Sequence, residues 1–369
     1  MERALAKSRD RQEARPPARR RRIRLMIVDD SMVARAVLSR MIESDDDFEI
    51  AAVAGTAEDA IDALHAVKVD IILLDLEMPG AGGLKLIPDI LKAAGGARVM
   101  VVSSLAEEGK ENAVAALALG AVDAMPKPGT GRFNGRFAEV LLTRLKAIGL
   151  ADDLPPLPEP IRLQGCGPLR AMPSDPIGLL AIGASTGGIH ALSSFFQALP
   201  SRIHVPILVT QHLPTPFMPV FARQLGIAAR REALVAEDGM RLRPDRILIA
   251  PGDAHLSIVA RAGGHEVRLC REPASTGCRP SVDPMFASAG AEFGPGAVGV
   301  IMTGMGRDGV EGARKLVACG GSVLAQDEAS CAVWGMPRAV IEAGLACAVM
   351  PPEKMGRRIA SRTGEIACK

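Results

Sequence analysis

The 369-residue sequence is poor in aromatic side chains, with no tyrosine, one tryptophan and nine phenylalanines. It has no apolar run near the ~18 residues that a membrane span requires, so we expect no membrane insertion. The basic N-terminus is not followed by the apolar segment of a secretory signal. The seven cysteines form no CxxC pair and no His/Cys zinc spacing. These absences argue against a zinc finger and a secreted disulfide scaffold, and they favour a cytoplasmic protein with reduced cysteines.

The net positive charge of the chain comes from its N-terminus. The formal net charge is +2, yet the first 24 residues hold ten Lys or Arg against three acids, which leaves about −5 for the remainder. A folded surface that binds nucleic acid is usually basic, so we expect no nucleic-acid partner. Residues 1–22 have the composition of a disordered chain, and we predict a basic disordered tail there.

Strand and helix patterns alternate after the tail. Apolar runs at 23–28, 49–53, 71–74, 99–102 and 121–125 are separated by helical periodicity. This alternation predicts a doubly wound α/β domain with a five-stranded parallel sheet over 23–148. Seven prolines between 149 and 176 predict a stiff linker. A second α/β domain, with a β-hairpin around 263–264, is predicted for 177–369.

Polar residues follow the predicted strands of the first domain, and they are Asp29, Asp30, Asp75, Ser103 and Lys127. The carboxyl ends of parallel strands meet at one edge of a sheet, where ligands bind. Three crowded carboxylates repel one another unless a hard cation such as Mg²⁺ joins them. A lysine and a small hydroxyl beside them suit a phosphoryl group, so we predict a Mg²⁺-dependent phosphorylation site.

The second domain begins with a strand, a tight turn and a helix. The turn GASTG at 183–187 fits the G-x-S-x-G nucleophile elbow. Ser185 would then stand at the start of a helix, where unpaired N–H groups can stabilise an oxyanion. The alternatives are a glycine-rich loop that only turns the chain and one that cradles a phosphate.

A nucleophilic serine needs a base, and the base needs an orienting acid. Two histidines, His212 and His255, lie just past strand ends, and His212 is favoured because its strand directly follows the serine unit. Three acids lie in comparable positions, namely Asp253, Asp308 and Asp327. We favour Asp308 because it lies in a glycine-rich loop, although it could instead cap the following helix.

Four motifs of the first domain resemble the receiver domain of response regulators: MIVDDS at 26–31, LLDLEMP at 73–79, VVSS at 101–104 and PKP at 126–128. The resemblance implies a flavodoxin-like fold in which Asp75 accepts a phosphoryl group from a chemotaxis histidine kinase. It also implies that Asp29, Asp30, Asp75 and the Glu77 carbonyl hold Mg²⁺, while Ser103 and Lys127 sense the phosphate. The chain departs from the pattern at 82–83, where Asp-Gly is usual, and at Ala124, which is often aromatic.

Six motifs of the second domain resemble the chemotaxis protein-glutamate methylesterase family: IGASTGG at 182–188, QHLP at 211–214, APG at 250–252, RPSVD at 279–283, MTGMGRDG at 302–309 and AQDEA at 325–329. The resemblance implies Ser185 as nucleophile, His212 as base and Asp308 as orienting acid. The backbones of Met305 and Thr186 would stabilise the oxyanion. Cys278 stands where a histidine commonly precedes the RPSVD run.

The two resemblances together imply a phosphorylation-activated hydrolase that serves adaptation in chemotaxis. It would demethylate glutamate γ-methyl esters and deamidate glutamines on methyl-accepting chemoreceptors, with no cofactor for the esterase reaction. The rival hypothesis is a non-enzymatic response regulator whose second domain binds a nucleotide or a protein. The sequence disfavours a nucleotide, because Gln211 and His212 stand where an acidic ribose partner is expected.

Overall fold

The computed structural model describes residues 21–79, 82–104, 106–127, 135–149 and 169–363. The predicted tail up to residue 20 and residues 150–168 of the predicted linker lie outside these ranges. None of the helices in the described ranges combines the length and apolar character that a membrane crossing requires.

The first domain has a five-stranded parallel sheet in the order β2-β1-β3-β4-β5. Its strands are β1 (Ile23–Val28), β2 (Phe48–Ala54), β3 (Ile71–Asp75), β4 (Arg98–Ser103) and β5 (Asp123–Pro126). Its helices are α1 (Met32–Glu43), α2 (Ala57–Leu64), α3 (Gly83–Ala93), α4 (Glu107–Ala118) and α5 (Gly135–Gly149). Alternate residues of β1 enter different cores, Leu25 on the side of α1 and α5 and Met26 on the other. The doubly wound receiver fold is therefore confirmed.

The second domain has a seven-stranded sheet in the order β14-β13-β12-β6-β7-β9-β8, and every pair in it is parallel. Its strands are β6 (Leu179–Ala184), β7 (Ile207–Gln211), β8 (Ala233–Val235), β9 (Ile247–Ile249), β12 (Ala297–Ile301), β13 (Ser322–Gln326) and β14 (Ala346–Met350). Its helices are α6 (Gly188–Ala198), α7 (Met218–Ala229), α8 (Val282–Phe293), α9 (Val310–Ala318), α10 (Met336–Glu342) and α11 (Pro352–Ala360). Helices cover both faces, since Leu180 of β6 packs in one core and Leu179 in the other.

The predicted hairpin is present as an antiparallel pair, β10 (His255–Arg261) and β11 (Gly264–Cys270). It turns at Gly263, whose φ of 87° favours glycine. The buried residues Leu256 and Ile258 face α8 and join its core. The hairpin thereby anchors the start of α8, which lies at the candidate active site.

The two domains are in contact at the carboxyl edge of the larger sheet. The N–H of Gly187 donates a hydrogen bond of 2.6 Å to the carbonyl of Val122, which directly precedes β5. Helix α4 packs against α6, α7 and the short helical turn Thr215–Phe217. Arg223 of α7 forms an ion pair with Glu111 of α4 at 2.9 Å. The first domain thus lies beside the turn that carries Ser185.

Candidate active site

The turn after β6 holds Ser185 in a fixed backbone position. The Ser185 N–H donates to the Thr303 carbonyl at 3.0 Å, and the Gln211 side-chain amide donates to the Ser185 carbonyl at 2.8 Å. Gly187 has a φ of 76°, and a Cβ there would lie 2.5 Å from the Cβ of Ala332, so this position requires glycine. The Ser185 hydroxyl is half-buried and makes no hydrogen bond within the described residues.

The loop after β12 passes directly against Ser185. A Cβ on Gly304 would lie 2.6 Å from the Ser185 Cβ, so the absence of a side chain allows the close approach. Met305 follows, and its N–H and that of Thr186 make no hydrogen bond within the described part of the chain. The Thr186 carbonyl is held by the Thr303 hydroxyl at 2.9 Å. These two N–H groups lie near the serine with no competing acceptor.

His212 lies just past β7 and pairs with Asp308 in the loop between β12 and α9. The His212 Nε2 is 2.8 Å from Asp308 Oδ2. Asp308 is 1 % exposed, and burial alone would raise its pKa. Hydrogen bonds from His212, Ser281 and Val282 outweigh that effect and lower the pKa below its usual value, so the group is a carboxylate. Since Nε2 faces the carboxylate, Nδ1 is the ring nitrogen left to accept a proton.

Asp308 is enclosed by donors from the start of α8. The Ser281 hydroxyl donates to Oδ1 at 2.6 Å, and the Val282 N–H donates to Oδ2 at 2.8 Å. The alternative in which Asp308 caps its own helix is wrong, because α9 begins after Gly309 and has no side-chain cap. Asp308 instead joins the start of α8 to the histidine.

The ring of His255, the second candidate base, is bound by backbone groups and not by a candidate acid. Its Nδ1 accepts a hydrogen bond from the Ser281 N–H at 2.9 Å, and its Nε2 donates to the Glu272 carbonyl at 2.8 Å. Both ring nitrogens are therefore occupied by backbone groups, and the ring is 2 % exposed. His255 positions Ser281, which in turn holds Asp308.

The other candidate acids lie away from His212. Asp253 forms an exposed ion pair with Arg271 at 3.1 Å. Asp327 accepts the Ser330 N–H at 2.9 Å and caps a short helical turn. Neither forms a hydrogen bond or ion pair with a histidine within the described residues.

Sequence reasoning missed the positioning roles of four residues: His255, which it offered only as a second candidate base, and Gln211, Ser281 and Thr303. The sequence gives little indication of these roles, because the side chains of three of the residues form hydrogen bonds with backbone atoms of distant segments, which any residue type could supply. Gln211 is the last residue of β7, and Thr303 lies just past the end of β12. Both could therefore have been selected by the same rule that selected His212, namely a position at the carboxyl end of a strand.

The predicted phosphorylation site forms at the carboxyl edge of the smaller sheet. Lys127 Nζ lies 2.7 Å from Asp75 Oδ2 and 2.9 Å from Asp29 Oδ2. Burial raises the pKa of Asp75, and the nearby Lys127 offsets this only in part. The same carboxylates hold the Lys127 pKa above its usual value despite burial, so the lysine is charged.

Asp29, Asp30 and Asp75 each offer an oxygen within 4.8 Å of the others. A set of carboxylate oxygens suits a hard cation, so these residues fit Mg²⁺. The Glu77 N–H donates to Asp75 Oδ1 at 3.1 Å, which places the Glu77 backbone beside this cluster. Ser103 is buried, and its hydroxyl donates to the Gly109 carbonyl of α4 at 3.0 Å. Ser103 thus connects the strand edge with α4 in this structure.

Comparisons with known proteins match both domains. Residues 25–132 match the response regulator receiver domain, and residues 180–359 match the family model described as CheB methylesterase. A solved structure of the Thermotoga maritima CheB methylesterase catalytic domain is 36% identical and covers 50% of this chain and 98% of that one, with a TM-score of 0.49. The response regulator domain of T. maritima CheB is also 36% identical, over 34% of this chain and 95% of that one, with a TM-score of 0.32.

Relatives match over nearly the whole chain. A protein-glutamate methylesterase/protein-glutamine glutaminase of Azospirillum brasilense is 37% identical over 92% of this chain and 93% of its own length. A protein of the same name from Caulobacter vibrioides, numbered 2, is 40% identical over 94% of this chain and 100% of its own length. The chain therefore belongs to the protein-glutamate methylesterase/protein-glutamine glutaminase family and carries a response-regulator receiver domain.

Proposed function

We propose that the protein is a phosphorylation-activated hydrolase that removes methyl groups from glutamate γ-methyl esters of chemoreceptors and deamidates specific glutamines there, for adaptation in chemotaxis. The observation that carries this proposal is the His212–Asp308 pair at the same sheet edge as the free Ser185 hydroxyl. The names of the relatives supply the substrate class.

In the proposed acylation step the Ser185 Oγ attacks the γ-carbonyl carbon while His212 Nδ1 takes the hydroxyl proton. The carbonyl oxygen becomes an oxyanion that faces the N–H groups of Met305 and Thr186. When the intermediate collapses, the ester C–O bond or the amide C–N bond breaks and His212 returns the proton to the leaving group. Methanol departs from an ester and ammonia from an amide, and an acyl-enzyme remains.

Deacylation repeats the steps with water as the nucleophile. His212 takes a proton from water and returns it to the Ser185 Oγ as the Ser185 ester bond breaks, and the glutamate side chain is released, losing its proton to solvent. Asp308 remains ionised throughout and stabilises the imidazolium that forms in each step. The proposed esterase reaction uses no cofactor, because these side chains and N–H groups supply the nucleophile, the base and the oxyanion donors.

Receiver domains use Mg²⁺ for phosphorylation. In the proposed arrangement Asp75 accepts the phosphoryl group from a chemotaxis histidine kinase. Asp29, Asp30, Asp75 and the Glu77 carbonyl would hold the cation, which neutralises charge on the phosphoryl group. Lys127 is charged and would pair with the bound phosphoryl group, and Ser103 would donate its hydroxyl after releasing the Gly109 carbonyl.

The contact between the domains supports inhibition by the unphosphorylated receiver. The Val122 carbonyl binds the Gly187 N–H two residues after the nucleophile, and α4 packs on the turn that follows His212. The first domain therefore packs on the chain directly after both Ser185 and His212. Since Ser103 is bonded to α4, movement of Ser103 toward a phosphoryl group would disturb the same helix that forms the contact.

Replacement of Asp75 by asparagine is expected to abolish stimulation of methanol release by a small phosphodonor, because the amide is not a phosphoryl acceptor. Basal release should persist, since Asp75 lies in the other domain. Methanol release from methylated receptor is measured with and without the donor. The exposed Asp89→Asn on α3 is the matched control and should retain stimulation. Stimulation that survives Asp75→Asn would place the acceptor elsewhere.

Reversal of the interdomain ion pair is expected to raise basal methanol release. Glu111→Arg or Arg223→Glu replaces an exposed ion pair worth up to ~1 kcal/mol with a like-charge contact, so we expect an increase of about 2–5-fold without a phosphodonor. The double reversal restores the pair and should return release toward the original rate. If neither single variant is faster, this contact does not contribute to inhibition.

A further inference from the structure

Cys278 lies beside the His212–Asp308 pair. Its Sγ, a ring nitrogen of His212 and a carboxylate oxygen of Asp308 all lie within 4.8 Å of one another. The segment that carries Cys278 is fastened to Asp308, because the Thr276 hydroxyl donates to Asp308 Oδ1 at 3.2 Å and accepts the Cys278 N–H at 3.4 Å. A thiol is therefore part of the immediate surroundings of the proposed catalytic base.

The proposed esterase reaction does not use this thiol. Burial raises the pKa of Cys278, and the negative charge of Asp308 raises it further, so the sulfur is protonated at neutral pH. A protonated thiol is a poor nucleophile. The sulfur can instead act as a ligand together with the His212 nitrogen and the Asp308 oxygen.

The three donors suit a borderline-soft divalent cation. Zinc binds cysteine sulfur at about 2.3 Å, histidine nitrogen at about 2.0–2.1 Å and carboxylate oxygen at about 2.0–2.2 Å, so tetrahedral ligand atoms stand roughly 3.3–3.8 Å apart. The His212 Nε2 and Asp308 Oδ2 are 2.8 Å apart and would separate slightly, while the other pairs, which lie within 4.8 Å, would need at most about 1.5 Å of closure. Three protein ligands leave a fourth position for water.

This set differs from the carboxylate cluster of the receiver. Asp29, Asp30 and Asp75 offer only oxygen, which favours Mg²⁺. Sulfur and imidazole nitrogen favour zinc-like ions over Mg²⁺. An excess of Mg²⁺ would therefore occupy the receiver and leave the cysteine cluster to the softer ion.

We propose that Cys278, His212 and Asp308 form a binding site for a zinc-like divalent cation and that its occupation inhibits the hydrolase. The metal binds the Cys278 sulfur and displaces its proton to solvent. It takes the Nε2 lone pair of neutral His212 as the ring proton moves from Nε2 to Nδ1. The Asp308 carboxylate exchanges the hydrogen bond from His212 for a bond to the metal. The inhibitory part of the inference rests on the proposed function, since Nδ1 then carries a proton and cannot accept one from Ser185.

Binding is tested with Co²⁺ as the probe on the full chain in excess Mg²⁺. The first equivalent of Co²⁺ is expected to produce a thiolate-to-metal charge-transfer band that Zn²⁺ abolishes by displacement. Cys278→Ser should lack the band, whereas Cys319→Ser, which removes an exposed thiol at the end of α9, should retain it. No band in the unmodified chain, or an unchanged band in Cys278→Ser, overturns the proposal.

Inhibition is measured separately as methanol release from methylated receptor during a Zn²⁺ titration, with each variant compared with its own metal-free rate. We expect Cys278→Ser to require at least ~10-fold more Zn²⁺ for half-inhibition, and a chelator to restore activity. Equal Zn²⁺ sensitivity of Cys278→Ser and the unmodified chain overturns the inhibitory role. If the cobalt band depends on Cys278 while zinc leaves hydrolysis unchanged, the metal site stands and the assignment of His212 and Asp308 to catalysis fails.

Discussion

Replacement of Ser185 by alanine is expected to lower methanol release from methylated receptor by at least ~10³-fold. Alanine removes the oxygen that attacks the γ-carbonyl, so no acyl-enzyme can form. The turn itself should persist, because its backbone is held by Thr303 and Gln211 and its tight conformation depends on Gly187. Ammonia release from substrate glutamines should fall in parallel, since both reactions share the acylation step.

A loss of activity is informative only if the fold and the receiver survive. Ser185→Ala should unfold at the temperature of the unmodified chain and should still accept a phosphoryl group on the receiver. Ser201→Ala, which changes an exposed serine beyond α6, is the matched control and should keep its activity. A serine-directed fluorophosphonate should label the unmodified chain and Ser201→Ala but not Ser185→Ala. Undiminished methanol release from Ser185→Ala would contradict its assignment as the nucleophile.

Replacement of Asp308 by asparagine is expected to reduce kcat/KM by about 10³–10⁴-fold. The carboxylate accepts hydrogen bonds from the His212 ring, the Ser281 and Thr276 hydroxyls and the Val282 N–H. An amide has one acceptor oxygen, so its NH₂ group must face some of these donors. It also lacks the charge that stabilises the imidazolium.

The control for this substitution is Asp327→Asn, which changes an acid that caps a short helical turn and should retain activity to within a few-fold. Fluorophosphonate labelling of Ser185 should become much slower in Asp308→Asn, since the histidine is no longer held in the required tautomer. Full activity of a folded Asp308→Asn protein would show that His212 does not need this partner.

Much of the geometry of both candidate sites could be predicted from the ends of the strands, because the carboxyl ends of parallel strands meet at one edge of a sheet. As expected from their positions after strands, Asp29 and Asp75 lie close to Lys127 in the structure, and His212 lies close to Asp308. Glycine at 187 further marked the turn at Ser185, since few other residues adopt its φ. The fold class could be predicted because apolar strand segments alternate along the chain with segments of helical periodicity.

Other features had no comparable sequence signal. His255 satisfied the same strand-edge rule as His212, and only the backbone partners of its ring nitrogens reveal its positioning role. Strand β8 has three half-buried residues, too few to show periodicity. The bond between Val122 and Gly187 joins two backbone groups of separate domains, so no side-chain pattern could predict it.

Phosphorylation of Asp75 is proposed to release the activity of Ser185 in the other domain. The most direct test is methanol release from methylated receptor by the full chain, with and without a small phosphodonor in the presence of Mg²⁺. We predict that the donor accelerates release by the unmodified chain and that Ser185→Ala releases almost none with or without the donor. A donor that phosphorylates Asp75 yet leaves methanol release unchanged or slower would contradict it.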